Sequence, residues 1–106
     1  MVFIETPPFE RLRADYLGDE NYRLLQVWLM ANPEAGAVIR GSGGIRKLRW
    51  GSDGRGKRGG MRIIYYYVNA LSQIYFLTLY RKSEIADLSR DEIRILRRLV
   101  TQIQDD

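Results

Sequence analysis

GSDGRGKRGGMRIIYYYV, residues 51–68, sets two kinds of sequence back to back. Residues 51–60 hold five glycines and the cations Arg55, Lys57 and Arg58, with no large apolar side chain. Residues 61–68, apart from Arg62, are apolar at both parities, which predicts a central strand covered on both faces. Downstream, Asn69 to Gln73 reads as a hairpin turn and IYFLTLYRK, 74–82, as the next strand. Upstream, IRKLRW, 45–50, alternates: Arg46, Leu48 and Trp50 share one face, and Ile45, Lys47 and Arg49 the other. With Leu48 and Trp50 toward a core, Lys47 and Arg49 turn away from it. The three strands predict a mostly antiparallel meander hinged on the basic loop.

Helices flank this centre. Val2–Glu5 reads as a short first strand. Thr6 reads as a helix N-cap with Pro7 at the first helical position, and Phe9, Leu12 and Tyr16 lie on one helix face. Gly18 interrupts, Asp19 is positioned to cap a second helix, and Tyr22, Leu25 and Leu29 form its buried stripe, widened by Leu24 and Trp28. Asn32-Pro33 ends it. Residues 36–44, GAVIRGSGG, read as a glycine-rich connection. At the C-terminal end Ser89 and Glu92 make a capping box, followed by Ile93, Leu96, Val100 and Ile103 at helical spacing. Arg90, Arg94, Arg97 and Arg98 fall mostly on other faces and read as a solvated surface. The fold class expected is α+β, with a helix pair, a small sheet and a C-terminal helix in a single domain over residues 1–106.

Composition narrows the chemistry. The chain has 106 residues, net charge +4, no cysteine and no histidine. Disulfides, thiol nucleophiles and metal sites of the His/Cys kind are therefore excluded, and the usual general base near neutral pH is missing. The opening MVFIETPPFE has neither a basic region nor a long apolar run, so neither a secretory signal nor a membrane span is expected, and the cytoplasm is the expected location. The charge is uneven: residues 40–62 carry eight cations and one anion, a net +7, which leaves −3 for the rest. Such concentration points to a polyanionic partner.

Strand geometry gathers these cations. In a meander the end of the 45–50 strand, the start of the 61–68 strand and the end of the 74–82 strand meet. Lys47, Arg49, Arg62, Arg81 and Lys82 then converge on one edge, as phosphate binders do. Tyr80 adds a ring or a phenolic proton. The loop does not match G-x-x-x-x-G-K-[ST], since Arg58 follows Lys57 and no helix follows, so a nucleotide-cofactor fold is disfavoured. Tyr65, Tyr66 and Tyr67 read as core and sheet surface rather than a base-stacking platform.

The combination GGIRKLRW, GRGKRGGMRIIYYYV, IYFLTLYRKSE and a C-terminal helix closely resembles the RelE/ParE superfamily of bacterial toxin–antitoxin toxins, and within it the HigB-like branch. The resemblance covers nearly the whole chain. It implies a small curved sheet with helices on one side. It implies an endoribonuclease that cuts mRNA in the decoding site of the 70S ribosome by attack of the ribose 2′-hydroxyl on the adjacent phosphate, without metal or other cofactor. It also implies a HigA-like helix-turn-helix antitoxin as partner, with operator DNA engaged only through that antitoxin. By position, the resemblance assigns Lys47, Arg62 and Lys82 to catalysis. The family's C-terminal tyrosine has no clear match: Leu88 stands near its place, and Tyr80 is the nearest substitute. Arg46, Arg49, Arg55, Lys57, Arg58 and Arg81 are the expected RNA binders. Lysines set among other cations release protons more readily, which suits Lys47 and Lys82 as proton carriers. Two alternatives stand beside this: a ParE-like toxin that poisons DNA gyrase without nuclease activity, and a non-catalytic RNA-binding module.

Overall fold

A computed structural model of the chain describes residues 1–51 and 60–105, excluding the side chain of Asp105. The elements run β1 (Val2–Glu5), α1 (Pro7–Tyr16), α2 (Asp19–Ala31), β2 (Ala37–Val38), β3 (Arg46–Trp50), β4 (Met61–Val68), a 3-10 turn (Asn69–Leu71), β5 (Gln73–Arg81) and α3 (Arg90–Asp105). The five strands form one sheet in the order β1-β5-β4-β3-β2. β1 pairs with β5 in parallel, and the other three pairings are antiparallel. The class is the α+β arrangement expected, and β4 occupies the centre.

Strand alternation divides the side chains between two cores. Leu48, Trp50, Met61, Ile63, Tyr65, Phe76 and Leu79 pack against Phe9, Leu17, Tyr22, Leu25 and Leu29 of the helix pair. Ile45, Ile64, Leu77 and Tyr80 face the opposite way, against Val100, Leu88, Leu96 and Leu99. The helices therefore cover both faces of the sheet rather than one. This corrects the one-sided arrangement, and the physical reason lies in β4, whose two apolar parities each need cover.

Several local expectations change in the same way. Thr6 occupies the N-cap of α1, yet its hydroxyl makes no capping bond. Its Oγ1 lies 3.0 Å from the Phe76 carbonyl and 2.9 Å from that of Leu77. Those carbonyls flank the irregularity where Ile64 pairs with Thr78 and Tyr65 with Phe76, leaving Leu77 as an extra residue in β5. A bulge disrupts the ladder, and the threonine satisfies what the ladder does not. Asp19 is inside α2 with Gly18 as its N-cap, and its carboxylate accepts from Arg13 Nη1 at 2.7 Å. The 36–44 connection contains β2, a two-residue edge strand on β3. The capping box of α3 forms as read: Ser89 N–H donates to Glu92 Oε1 at 3.0 Å and Glu92 N–H to Ser89 Oγ at 3.1 Å.

Candidate functional site

One cross-strand row defines the site. Arg49 on β3 pairs with Arg62 on β4, and Arg62 pairs with Tyr80 on β5. Lys47 stands one same-face step along β3, opposite Ile64. Because Leu48 and Trp50 are buried against the helix pair, alternation places Lys47 and Arg49 on the α3 face with Ile64 and Tyr80. The row lies at the end of the sheet where Gly51 and Gly60 flank residues 52–59. The expected convergence at this end is thus present for Lys47, Arg49 and Arg62.

Arg62 is deeply set, 7% exposed, and its Nη1 donates to the Met61 carbonyl at 3.1 Å. Tyr80 is 4% exposed. Burial first, and then the charge and hydrogen bond of Asp87, push its phenol up to about 12, against the opposing pull of Arg62. The phenol therefore keeps its proton at neutral pH.

Asp87 is the residue that sequence reading missed. After β5 the chain turns, with the Glu84 and Ile85 amides donating to the Arg81 carbonyl at 3.0 Å each. Asp87 then comes back over the sheet. Its Oδ1 accepts from the Leu88 amide at 2.8 Å, from Lys47 Nζ at 3.3 Å and from the Tyr80 hydroxyl at 3.4 Å. The Leu88 N–H, foremost, and the Lys47 ammonium and Tyr80 hydroxyl hold this carboxyl below the usual carboxylate range, although partial burial opposes them. Lys47 consequently meets a carboxylate, whereas the sequence suggested a surrounding of cations alone. The segment holding Asp87 shows no periodicity, and the residues it joins lie 40 and 7 positions away.

The remaining expected binders divide. Lys82 follows β5 at the same sheet end, exposed, with its amide on the Gly60 carbonyl at 2.7 Å. Arg46 turns to the helix-pair face, where its Nη1 donates to the carbonyls of Glu34 at 3.0 Å and Gly36 at 2.8 Å and fastens the connection after α2. Arg81 also points away from the row. Its guanidinium lies 4.4 Å over the Tyr16 ring, with Nη1 on Glu84 at 3.1 Å and Nη2 on the Asp15 carbonyl at 3.3 Å. Arg55, Lys57 and Arg58 lie outside the described residues. Leu88 is packed with the α3 core rather than offering a polar group.

The arrangement is a pair of arginines, an amine, a protonated phenol and one carboxylate tying the last two together. Among the described residues, no group of three or more His, Cys, Asp or Glu is placed to hold a metal ion, and no helix is long and apolar enough to cross a membrane. A protein-family model described as the RelE toxin of the RelE / RelB toxin-antitoxin system matches residues 32–105, a span that includes β2 through α3 and every residue of the row.

Proposed function

The chain belongs to the RelE toxin family of toxin–antitoxin systems, and from there we propose that it is a ribosome-dependent endoribonuclease of the HigB-like branch. It cuts mRNA in the decoding site and is neutralised by a helix-turn-helix antitoxin. The observation that carries this reading is the Arg49–Arg62–Tyr80 row with Lys47 and Asp87 at its side.

In the proposed reaction the 2′-oxygen of one ribose attacks the adjacent phosphorus, and the bond from phosphorus to the next 5′-oxygen breaks. A 2′,3′-cyclic phosphate and a 5′-hydroxyl result. Negative charge accumulates on the phosphorane, and fixed guanidinium groups stabilise it more than they stabilise the ground state. Arg62 is the clamp, since burial holds its guanidinium in place before RNA arrives, and Arg49 beside it adds charge. The 2′-hydroxyl must lose a proton and the 5′-oxygen must gain one. Lys47 and Lys82 are the proposed carriers, Tyr80 is a phenolic donor, and Asp87 positions Lys47 and Tyr80.

The test is mRNA 5′-end mapping after a short expression pulse in a bacterial host, beside Arg62→Ala. Cuts within translated regions, lost when translation is blocked and lost in the variant, support the proposal. Growth arrest with intact mRNA contradicts it and directs attention to gyrase.

A further inference from the structure

Asp87 lies in residues 82–88, a connection from β5 to α3 that contains no helix or strand. A carboxylate on such a segment keeps its place only if something beyond the row holds the backbone. Its contacts with Lys47 Nζ at 3.3 Å and the Tyr80 hydroxyl at 3.4 Å are long, and its side chain is 64% exposed. Exposed pairs of that kind contribute little by themselves. The Leu88 amide, at 2.8 Å, belongs to the next residue in the chain, so it turns the side chain without fixing where the segment lies.

The segment is anchored on both faces of the sheet. Tyr80 faces α3, so alternation sends Arg81, the last residue of β5, to the helix-pair face. There its guanidinium stacks on the Tyr16 ring, its Nη1 donates to Glu84 Oε1 and its Nη2 to the Asp15 carbonyl. The Tyr16 hydroxyl donates to the other carboxylate oxygen, Glu84 Oε2, at 3.1 Å. Both oxygens of Glu84 are thus held, one from β5 and one from α1. The Tyr16 ring packs against the helix-pair core and gives the cluster a fixed base. The Glu84 and Ile85 amides close the turn on the Arg81 carbonyl at the same place. Four residues after Glu84, Leu88 packs with the α3 core on the opposite face. Asp87 is carried over the end of the sheet between these two anchors. A single surface pair would be a weak anchor, but a guanidinium stacked on a ring and sharing a carboxylate with that ring's hydroxyl forms a network.

We infer that Tyr16, Arg81 and Glu84 are positioning residues: from the face opposite the row, their cluster fixes the turn that sets Asp87 against Lys47 and Tyr80. The inference rests on the proposed nuclease reading for its effect on rate, whereas its effect on Asp87 needs no cleavage. Arg81, a cation at the active end of the sheet, then serves the site through Glu84 rather than through RNA. When the cluster is broken, Glu84 is released and Asp87 exchanges Lys47 and Tyr80 for water. The amine and the phenol lose their common reference, while the guanidinium groups of Arg49 and Arg62 stay where β3 and β4 put them.

The test uses the full chain and the variants Tyr16→Phe, Glu84→Ala and Glu84→Gln, each first checked for native circular dichroism. Tyr16→Phe keeps the ring beneath Arg81 and removes its bond to Glu84, and Glu84→Gln keeps an acceptor oxygen. The first readout is the titration of the Asp87 carboxyl, followed by carbon-13 NMR and assigned by its loss in Asp87→Ala. In wild type the Leu88 amide, and then Lys47 and Tyr80, hold this carboxyl low against partial burial. The expected result is a rise toward the ordinary carboxylate range in Tyr16→Phe and Glu84→Ala, and a smaller rise in Glu84→Gln. The second readout is single-turnover cleavage on programmed ribosomes beside RNA affinity. Glu84→Ala slows cleavage about tenfold or more with affinity unchanged or higher, and adding it to Asp87→Ala costs no further rate. An Asp87 titration that is the same in wild type, Tyr16→Phe and Glu84→Ala overturns the inference. A further loss of rate in the double variant also overturns it and makes the cluster a clip between α1 and β5. If wild type cuts no message, the nuclease reading fails, and the titration by itself decides whether the cluster places Asp87.

Discussion

Replacing Arg62 with methionine separates a catalytic guanidinium from a structural one. Arg62 is 7% exposed near the start of the central strand, and withdrawing an ion from water costs several kcal/mol after relaxation. It also stands directly opposite Arg49, and like charges in that cross-strand position cost about 0.2–1 kcal/mol. Against these stand the contacts of its guanidinium, among them the hydrogen bond to the Met61 carbonyl, about 1.5–3 kcal/mol for a charged donor. Methionine keeps the apolar stem and removes the charge. The opposing effects leave stability within about 1 kcal/mol of wild type, or above it. The rate of cleavage falls about 10²–10³-fold, equivalent to about 2.7–4 kcal/mol of transition-state stabilisation. Urea denaturation reads the first quantity and single-turnover cleavage on programmed ribosomes the second. A stability loss above about 3 kcal/mol, with the folded fraction cutting at the wild-type rate, would refute the reasoning and make Arg62 a structural residue.

Asp87→Ala frees Lys47 and Tyr80 from their shared acceptor; RNA binds more tightly while single-turnover cleavage slows by at least about tenfold, and looser binding at an unchanged rate would contradict the positioning role. Tyr80, with its phenol at about 12 against an ordinary 10.0, contributes stability that is complete below about pH 10 and is lost as pH rises through about 12. Denaturation across pH 9–12 should therefore decline less steeply in Tyr80→Phe, although Tyr22, also raised by burial first, keeps part of the slope in both proteins. Gly36→Ala places a Cβ 2.9 Å from Tyr65 Cε1 and 3.1 Å from the Lys47 backbone carbon, and it disturbs the Gly36 N–H bond to the Tyr65 hydroxyl at 2.9 Å. It should cost about 2–4 kcal/mol in urea. Gly18→Ala, with nothing within 4 Å, should cost under about 1 kcal/mol.

The sheet was the most legible part of the sequence. The sequence predicts β4 at 61–68 because covering both faces of a strand requires apolar residues at both parities, and β3 because Leu48 and Trp50 alternate with charges. The same alternation already set Arg46 on the face away from Lys47, and it sends Arg81 away from Tyr80. Pooling those cations by composition overlooked a period that the strands obey. Local capping rules assign Thr6 and Asp19 to helix N-caps, but Thr6 answers to a bulge 70 residues away and Asp19 to Arg13 across the turn. Asp87 left no local trace, since its role comes from a turn folding it onto strands distant in sequence. Arg62, in contrast, was conspicuous as the charge in an otherwise apolar strand.

The most direct measurement is cleavage of a defined message on programmed ribosomes by the purified chain, with the ends of the fragments identified chemically. The account predicts cuts in the decoding site that leave 2′,3′-cyclic phosphate and 5′-hydroxyl ends, slowed at least about a hundredfold in Arg62→Met. An intact message, other end groups, or equal cutting by the variant would contradict it.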